Sequence, residues 1–186
     1  MKKIIVVNLL GSSQSGKAII ASQMMGNLKK NGFNCKLIKS AAEQFSERGF
    51  RKVAEQLCVV GNPNFRMGKD RNNIDIIITD SPLVLSMFYG ATMLNTDYSA
   101  EELSKLSAFC QENFDNLNFF IRGRLASDNS EDNIRALIDE QKIFDKFKGI
   151  DLNMETMLPN QYCIQQMLKE VEGKHRLNNM MLALEA

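Results

Sequence analysis

Two glycines and a lysine stand close together near the start of the chain, at Gly11, Gly16 and Lys17. A loop that wraps phosphate groups needs glycine at two such points, because its backbone must turn its N–H groups inward around the anion. A lysine directly after the second glycine reaches the outer phosphates of a nucleotide. The residues predicted to bind the phosphates are Gly11, Ser12, Ser13, Gln14, Ser15, Gly16, Lys17 and Ala18. The alternative interpretation is a glycine-rich turn with an exposed lysine.

Ala18 departs from the phosphate-binding pattern, which places serine or threonine directly after the lysine. That hydroxyl normally binds Mg²⁺, and a methyl group cannot replace it. Because Mg²⁺ keeps several water ligands and uses phosphate oxygens, a water molecule can fill the gap beside Ala18. We therefore expect nucleotide binding to survive and the metal to be held more weakly.

A second candidate group is Asp80, at the end of the apolar run "IDIIITD". Ligands of open α/β sheets bind outside the carboxyl ends of the strands. A carboxylate there can hold a water molecule of Mg²⁺ or accept the proton of an attacking hydroxyl, so Asp80 is the candidate metal and catalytic residue. The alternative is a helix cap, because Ser81 and Pro82 are typical of a helix start.

Arg122 and Arg124 form the third candidate group, between a predicted strand and a predicted helix. Enzymes that transfer phosphoryl groups place arginines near the reacting phosphate, where they neutralise its charge. We predict that both arginines belong to a short lid over residues 122–135. Ordinary surface arginines are the alternative.

The elements that must position these groups alternate along the chain. Strands are predicted at Ile4–Leu10, "FNCKLI", Ile74–Asp80 and "LNFFIR", with a short fifth strand at Ile150–Leu152. Helices are predicted at 17–30, from Ser40 to Cys58 with a break near Gly49, from Pro82, from about Ala100, over "SEDNIRALIDEQKIFDKFKG" and from Pro159 to about Met181. The helix over "SEDNIRALIDEQKIFDKFKG" is expected to be amphipathic, because its apolar residues recur at helical spacing: Ile134, Leu137, Ile138, Ile143 and Phe144. This order indicates an α/β fold, a parallel sheet with helices on both faces.

Length and composition favour one domain over residues 1–186 with a substantial core. The N-terminus does not have the pattern of a signal peptide, and the apolar runs are too short for a membrane span. The four cysteines lack metal-ligand spacing, which indicates free thiols in a cytoplasmic protein. His175 lies in a polar stretch, where we expect it to be solvated.

The charge is divided unevenly between the two parts of the chain. Residues 1–75 hold 13 Lys and Arg against 5 Asp and Glu, a balance of +8, whereas the remainder has 10 against 17, a balance of −7. A basic N-terminal part suits phosphate ligands, although solvated helix faces explain the difference equally well. The basic residues are too scattered to indicate a nucleic-acid partner.

The segments "GSSQSGKA", "IDIIITDSPLVLS" and "IRGR" followed by "EDNIRALIDEQKIFDKF" occur in this order over roughly residues 3–155. Together they resemble the P-loop ATPase or kinase domains related to nicotinamide-riboside kinase, which include small stand-alone bacteriophage versions. The resemblance implies an adenylate-kinase-like P-loop fold, a three-layer sandwich, with ATP and Mg²⁺ as cofactors. It also implies phosphorylation of a nucleoside or nucleotide, in the host cytoplasm for a bacteriophage protein.

Under this resemblance Gly11–Lys17 hold the ATP phosphates, Asp80 lies beside the metal or the acceptor, and Arg122 and Arg124 belong to the lid. Such domains commonly place a glutamate after the second strand, where this chain has Ser40, with Glu43 one helical turn later.

Three hypotheses follow from the sequence. The leading one is an ATP-dependent kinase of a small nucleoside- or nucleotide-like acceptor. The second is a regulatory protein that binds a nucleotide with little or no turnover, and the third is a protein-interaction module. The apolar end at Met180 and Met181 is expected to dock either on the body of the protein or on a second subunit, as in a homodimer.

Overall fold

The computed structural model describes residues 4–12, 15–39, 74–80, 82, 85, 101, 105, 114–123, 131–149, 154–158 and 161–184. Its strands are β1 (Ile5–Leu10), β2 (Cys35–Ile38), β3 (Ile76–Thr79), β4 (Asp115–Ile121) and β5 (Glu155–Met157). Its helices are α1 (Lys17–Lys30), α2 (Glu131–Gly149) and α3 (Gln161–Leu184). Of the helices expected from Pro82 and from about Ala100, the structure describes single residues only, and Leu85, Glu101 and Lys105 among them are helical. The helix expected from Ser40 to Cys58 lies outside the described part of the chain, as do residues 124–130 of the predicted lid.

The described strands form one parallel sheet in the order β2-β3-β1-β4-β5. β1 lies in the middle, and its six residues are all buried, which explains why its sequence is continuously apolar. Its neighbours β3 and β4 lie on opposite sides, so the carboxyl end of β1 is the point where the strand order reverses. Ligands of open α/β sheets bind at this kind of position.

One face of the sheet is covered by α1 and α3. Alternate strand residues such as Val7, Ile78 and Phe119 pack there against Met24 of α1 and Met167 of α3. Because successive side chains of a strand point to opposite faces, the intervening residues face the other side. This core fixes α1 against the sheet and therefore fixes the loop that precedes α1.

The opposite face carries α2. The ring of Phe144 in α2 meets the ring of Phe120 in β4 edge to face, with 5.1 Å between centroids. Ile143 beside it is fully buried. With α1 and α3 on one face and α2 on the other, the described elements make the three-layer α/β sandwich that the sequence predicts.

Several sequence predictions differ from the structure in detail. A fifth strand lies at Glu155–Met157, where β5 pairs with β4 and buries only Met157, a few residues beyond the strand predicted at Ile150–Leu152. Residues 150–153 lie outside the described part. The apolar spacing of α2 predicted a buried face that includes three residues which in the structure remain 41–49 % exposed: Ile134, Leu137 and Ile138.

The C-terminal end of the chain shows two further results. His175 was expected to be solvated, but its ring packs edge to face on Phe33, with centroids 5.1 Å apart. Met180 and Met181 are exposed in α3, so they do not dock on the body, and the homodimer stays a prediction. Among the described residues, no helix is long and apolar enough to cross a membrane.

Candidate phosphate-binding site

The carboxyl ends of β1, β3 and β4 lie side by side, because the three strands are parallel and adjacent. Gly11 follows β1, Asp80 follows β3 and Arg122 follows β4. Residues from three distant parts of the sequence therefore meet at one edge of the sheet. This edge brings together candidate residues that the sequence named in three separate segments.

Gly11 lies where a side chain has no space. Its φ of 136° is in the region that L-residues rarely adopt. A Cβ at this position would lie 2.5 Å from the carbonyl oxygen of Ile121 and 3.0 Å from Ser15 Oγ. The loop therefore leaves β1 in close contact with the end of β4, and glycine is required for that approach.

The N-terminus of α1 has backbone and charge features that suit the binding of an anion. Gly16 precedes the helix with a left-handed φ of 87°, and no side chain in the described part of the chain caps the helix. The first turn contains no acidic residue. The first N–H groups of a helix have no partner within it and carry a partial positive charge, so they bind phosphate well.

Lys17 points its ammonium group back into the loop. Its Nζ donates to the carbonyl oxygen of Gly11 at 3.0 Å, to Ser15 Oγ at 3.3 Å and, in a short hydrogen bond, to the carbonyl oxygen of Ser12. Burial lowers the pKa of Lys17 to about 8, and the carboxylates of Asp80 and Glu140 partly oppose that shift. The positive charge is thus held beside Gly11, Ser12 and Ser15 at neutral pH.

Asp80 is partly buried at the end of β3, near enough to attract the charge of Lys17. This position fits a carboxylate that acts on the phosphates or on their metal ion. Within the described ranges, no three His, Cys, Asp or Glu residues are grouped as a metal site of protein ligands alone. A metal here would therefore depend on phosphate oxygens and water, as Mg²⁺ commonly does.

Ala18 is exposed at the second position of α1. Its methyl group offers no ligand, in agreement with the sequence. The neighbouring hydroxyls of Ser12 and Ser15 are buried and hydrogen bonded within the protein. The described residues thus fit a nucleotide's phosphates, and Asp80 is the carboxylate that would hold Mg²⁺ beside them.

Arg122 is held on two sides. Its guanidinium carbon lies 4.7 Å from the ring centroid of Phe144, and its Nη1 is 3.8 Å from Glu140 Oε1. Its backbone N–H donates to the carbonyl oxygen of Met157 in β5 at 2.9 Å.

Some of the residues that the sequence singled out lie outside the described part of the chain: Ser13, Gln14, Ser40, Glu43 and Arg124.

Glu140 is a site residue that sequence reasoning missed. It lies in α2, is only 5 % exposed, and accepts the N–H of Gly123 at 2.7 Å and the hydroxyl of Ser12 at 3.5 Å. The available signal was its spacing, three and four residues before Ile143 and Phe144. It therefore shares their apolar face, where an acidic residue is unusual.

Comparisons with solved structures identify the fold. The chain is similar to thymidylate kinase from Ehrlichia chaffeensis, with 15 % identity, a TM-score of 0.60, and coverage of 92 % of this chain and 98 % of that one. It is also similar to the APS kinase of Mycobacterium tuberculosis in complex with AMPPNP and APS, with 13 % identity and a TM-score of 0.50. This second match covers 93 % of this chain and 98 % of that one.

No protein-family model and no curated protein sequence matches the chain. The likeness is therefore one of architecture, and it agrees with the parallel sheet. The chain shares the parallel α/β fold of these solved kinase structures.

Proposed function

We propose that this protein binds ATP with Mg²⁺ and transfers the terminal phosphoryl group to a small nucleoside- or nucleotide-like acceptor. The observation that carries the proposal is the loop itself. The N-terminus of α1 follows the loop directly, and the ammonium group of Lys17 points back to the backbone of Gly11 and Ser12. Together they supply the N–H donors and the positive charge that a nucleotide's phosphates require.

Three side chains of the site have separate roles in this proposal. Lys17, which now donates to carbonyl oxygens of the loop, turns to the outer phosphates when a nucleotide binds. Arg122 neutralises the charge that spreads over the oxygens of the transferring group. Asp80 orients the acceptor hydroxyl or a water molecule of the metal ion. Mg²⁺ supplies further charge neutralisation at the phosphates when it is bound.

The class of acceptor rests on the resemblance to nicotinamide-riboside kinase domains, and the similar solved structures support it. One of them is a thymidylate kinase, and another is an APS kinase in complex with AMPPNP and APS. At 15 % and 13 % identity these structures define the fold and leave the acceptor to experiment.

The binding step is tested by thermal melting with ATP, GTP and dNTPs, with and without Mg²⁺. At a hundred times its dissociation constant, a nucleotide stabilises the folded state by about 2.7 kcal/mol. Lys17→Ala should lose most of this stabilisation while its apo form stays folded. Lys30→Ala, an exposed lysine at the other end of α1, is the matched control and should respond like the wild type. If no nucleotide shifts the melting of the wild type, the proposal is wrong.

A regulatory protein that binds nucleotide without turnover is the second candidate, because Ala18 lacks the usual metal ligand. The variant Asp80→Asn separates the two candidates. In an enzyme it should abolish transfer from ATP to acceptor nucleosides while nucleotide affinity stays within about threefold, since only the carboxylate charge is lost. Because Asn caps helices nearly as well as Asp, an active variant would indicate a capping role. If the wild type binds ATP but phosphorylates no nucleoside or nucleotide in a panel, the regulator is favoured.

A further inference from the structure

A single buried carboxylate joins three parts of the site. Glu140 of α2 accepts hydrogen bonds from Gly123 after β4 and from Ser12 in the phosphate loop. Its other oxygen, Oε1, lies 3.8 Å from Nη1 of Arg122. Helix α2 is thereby connected both to the loop that follows β1 and to the arginine that follows β4.

Burying a carboxylate is costly unless charged and polar partners compensate for its lost hydration. Glu140 has such partners, and one of them is the guanidinium group of Arg122. Phe144, one helical turn further along α2, presents its ring to the same guanidinium. Arg122 is therefore oriented by two side chains of α2, one that pairs with its charge and one that stacks against it.

We propose that Glu140 is a positioning residue, which holds Arg122 at a fixed place relative to the phosphate loop so that the arginine contacts the terminal phosphate of a bound nucleotide. The inference rests on the proposed function. Glu140 acts through Arg122, and its oxygens are already used by Gly123, Ser12 and Arg122. Removing it should therefore weaken the recognition of ATP more than that of ADP, which lacks the terminal phosphate.

A role through charge alone predicts the opposite result. Glu140 is a negative charge beside a site for anions, and it acts electrostatically on Lys17. If charge were its only effect, neutralising it would reduce repulsion and strengthen the binding of both nucleotides. The sign of the change thus separates positioning from simple electrostatics.

The test compares the dissociation constants of ATP and ADP, measured by titration calorimetry with Mg²⁺ at pH 7, for the wild type and for Glu140→Gln. Glutamine has the same shape and still accepts the N–H of Gly123, but it has no charge for Arg122. ATP should bind about tenfold more weakly, the effect of one lost charge-assisted contact, whereas ADP should change less than twofold. Glu170→Gln, on the exposed side of α3, is the control and should change neither constant.

Two further variants keep the inference testable if Glu140→Gln does not fold. Phe144→Leu removes the ring beside Arg122 without touching Ser12 or Gly123, and it too should weaken ATP selectively. The dissociation constant of ATP for Arg122→Gln gives the contribution of the arginine to ATP binding. Adding Glu140→Gln to Arg122→Gln should cost nothing more for ATP, because the two residues act as one unit.

Tighter binding of both nucleotides, or an unchanged ATP-to-ADP ratio in both Glu140→Gln and Phe144→Leu, would overturn the inference while the proposed function survives. A wild type that binds neither nucleotide would instead overturn the proposed function, and this inference with it.

Discussion

Lys17 makes the protein respond to pH in two opposite ways. Its pKa falls from 10.5 to about 8 on folding, because burial disfavours the charged form more than Asp80 and Glu140 favour it. Below pH 8 both the folded and unfolded chains carry the proton, and the folded state bears the cost of the buried charge. Between pH 8 and 10.5 only the unfolded chain keeps the proton, so stability rises with pH in this window.

The size of the effect follows from the shift of the pKa. A difference of about 2.5 pKa units, from 10.5 to 8, corresponds to roughly 3 kcal/mol of stability gained by pH 10.5. The measurement is the free energy of unfolding in urea, for the wild type and Lys17→Met, from pH 7 to 10.5. Other lysines, tyrosines and cysteines titrate in both proteins, so their contributions cancel in the difference between the two.

Nucleotide affinity should change in the other direction. If only the charged form of Lys17 binds phosphate, the dissociation constant of ATP should rise about tenfold between pH 7 and 9, whereas a lysine with an ordinary pKa of 10.5 would leave it nearly constant. Phosphate is largely ionised at pH 7 and adds little to the change. A flat stability difference together with a flat affinity would refute our account of Lys17 as a buried ammonium.

Three more predictions concern single positions. Gly11→Ala should cost several kcal/mol in urea unfolding, since its Cβ would lie 2.5 Å from a backbone oxygen of β4, whereas Gly26→Ala, in open space on α1, should stabilise by about 1 kcal/mol. Ala18→Ser adds a metal ligand, so ATP binding should respond about tenfold more to Mg²⁺ in calorimetric titrations; no change would mean that another group holds the metal. Asp115→Ala removes the carboxylate that accepts from Asn178 of α3 at 2.6 Å, and urea unfolding should show a loss of about 1–2 kcal/mol.

Local patterns in the sequence were sufficient for the elements near the site. The apolar run of β1, the two glycines and Lys17 predicted the first strand, the loop and α1, and the structure confirms the order of β1 and α1 and their bounds to within a residue. These features are largely local, because both glycines have positive φ angles and α1 begins directly after Gly16. The parallel α/β architecture followed from the alternation of strands and helices.

The sequence was less informative where a residue depends on distant partners. Strand β5 buries one residue of three, so its pattern is too weak to place it, and pairing with β4 decides where it lies. The spacing of Ile134, Leu137 and Ile138 indicated a buried face of α2, but the position of the helix against Phe120 leaves these residues exposed.

Sequence patterns could not predict that Glu140 contacts Ser12, Gly123 and Arg122. These residues follow β1, follow β4 or lie in α2, and they are up to 128 positions apart. The sequence by itself determined which residues are the candidates for binding phosphate, since the two glycines and the lysine stand together in one loop. Only the tertiary structure decided which carboxylate lies beside them, because the order of the strands brings the ends of β1 and β4 together and α2 packs against Phe120 of β4.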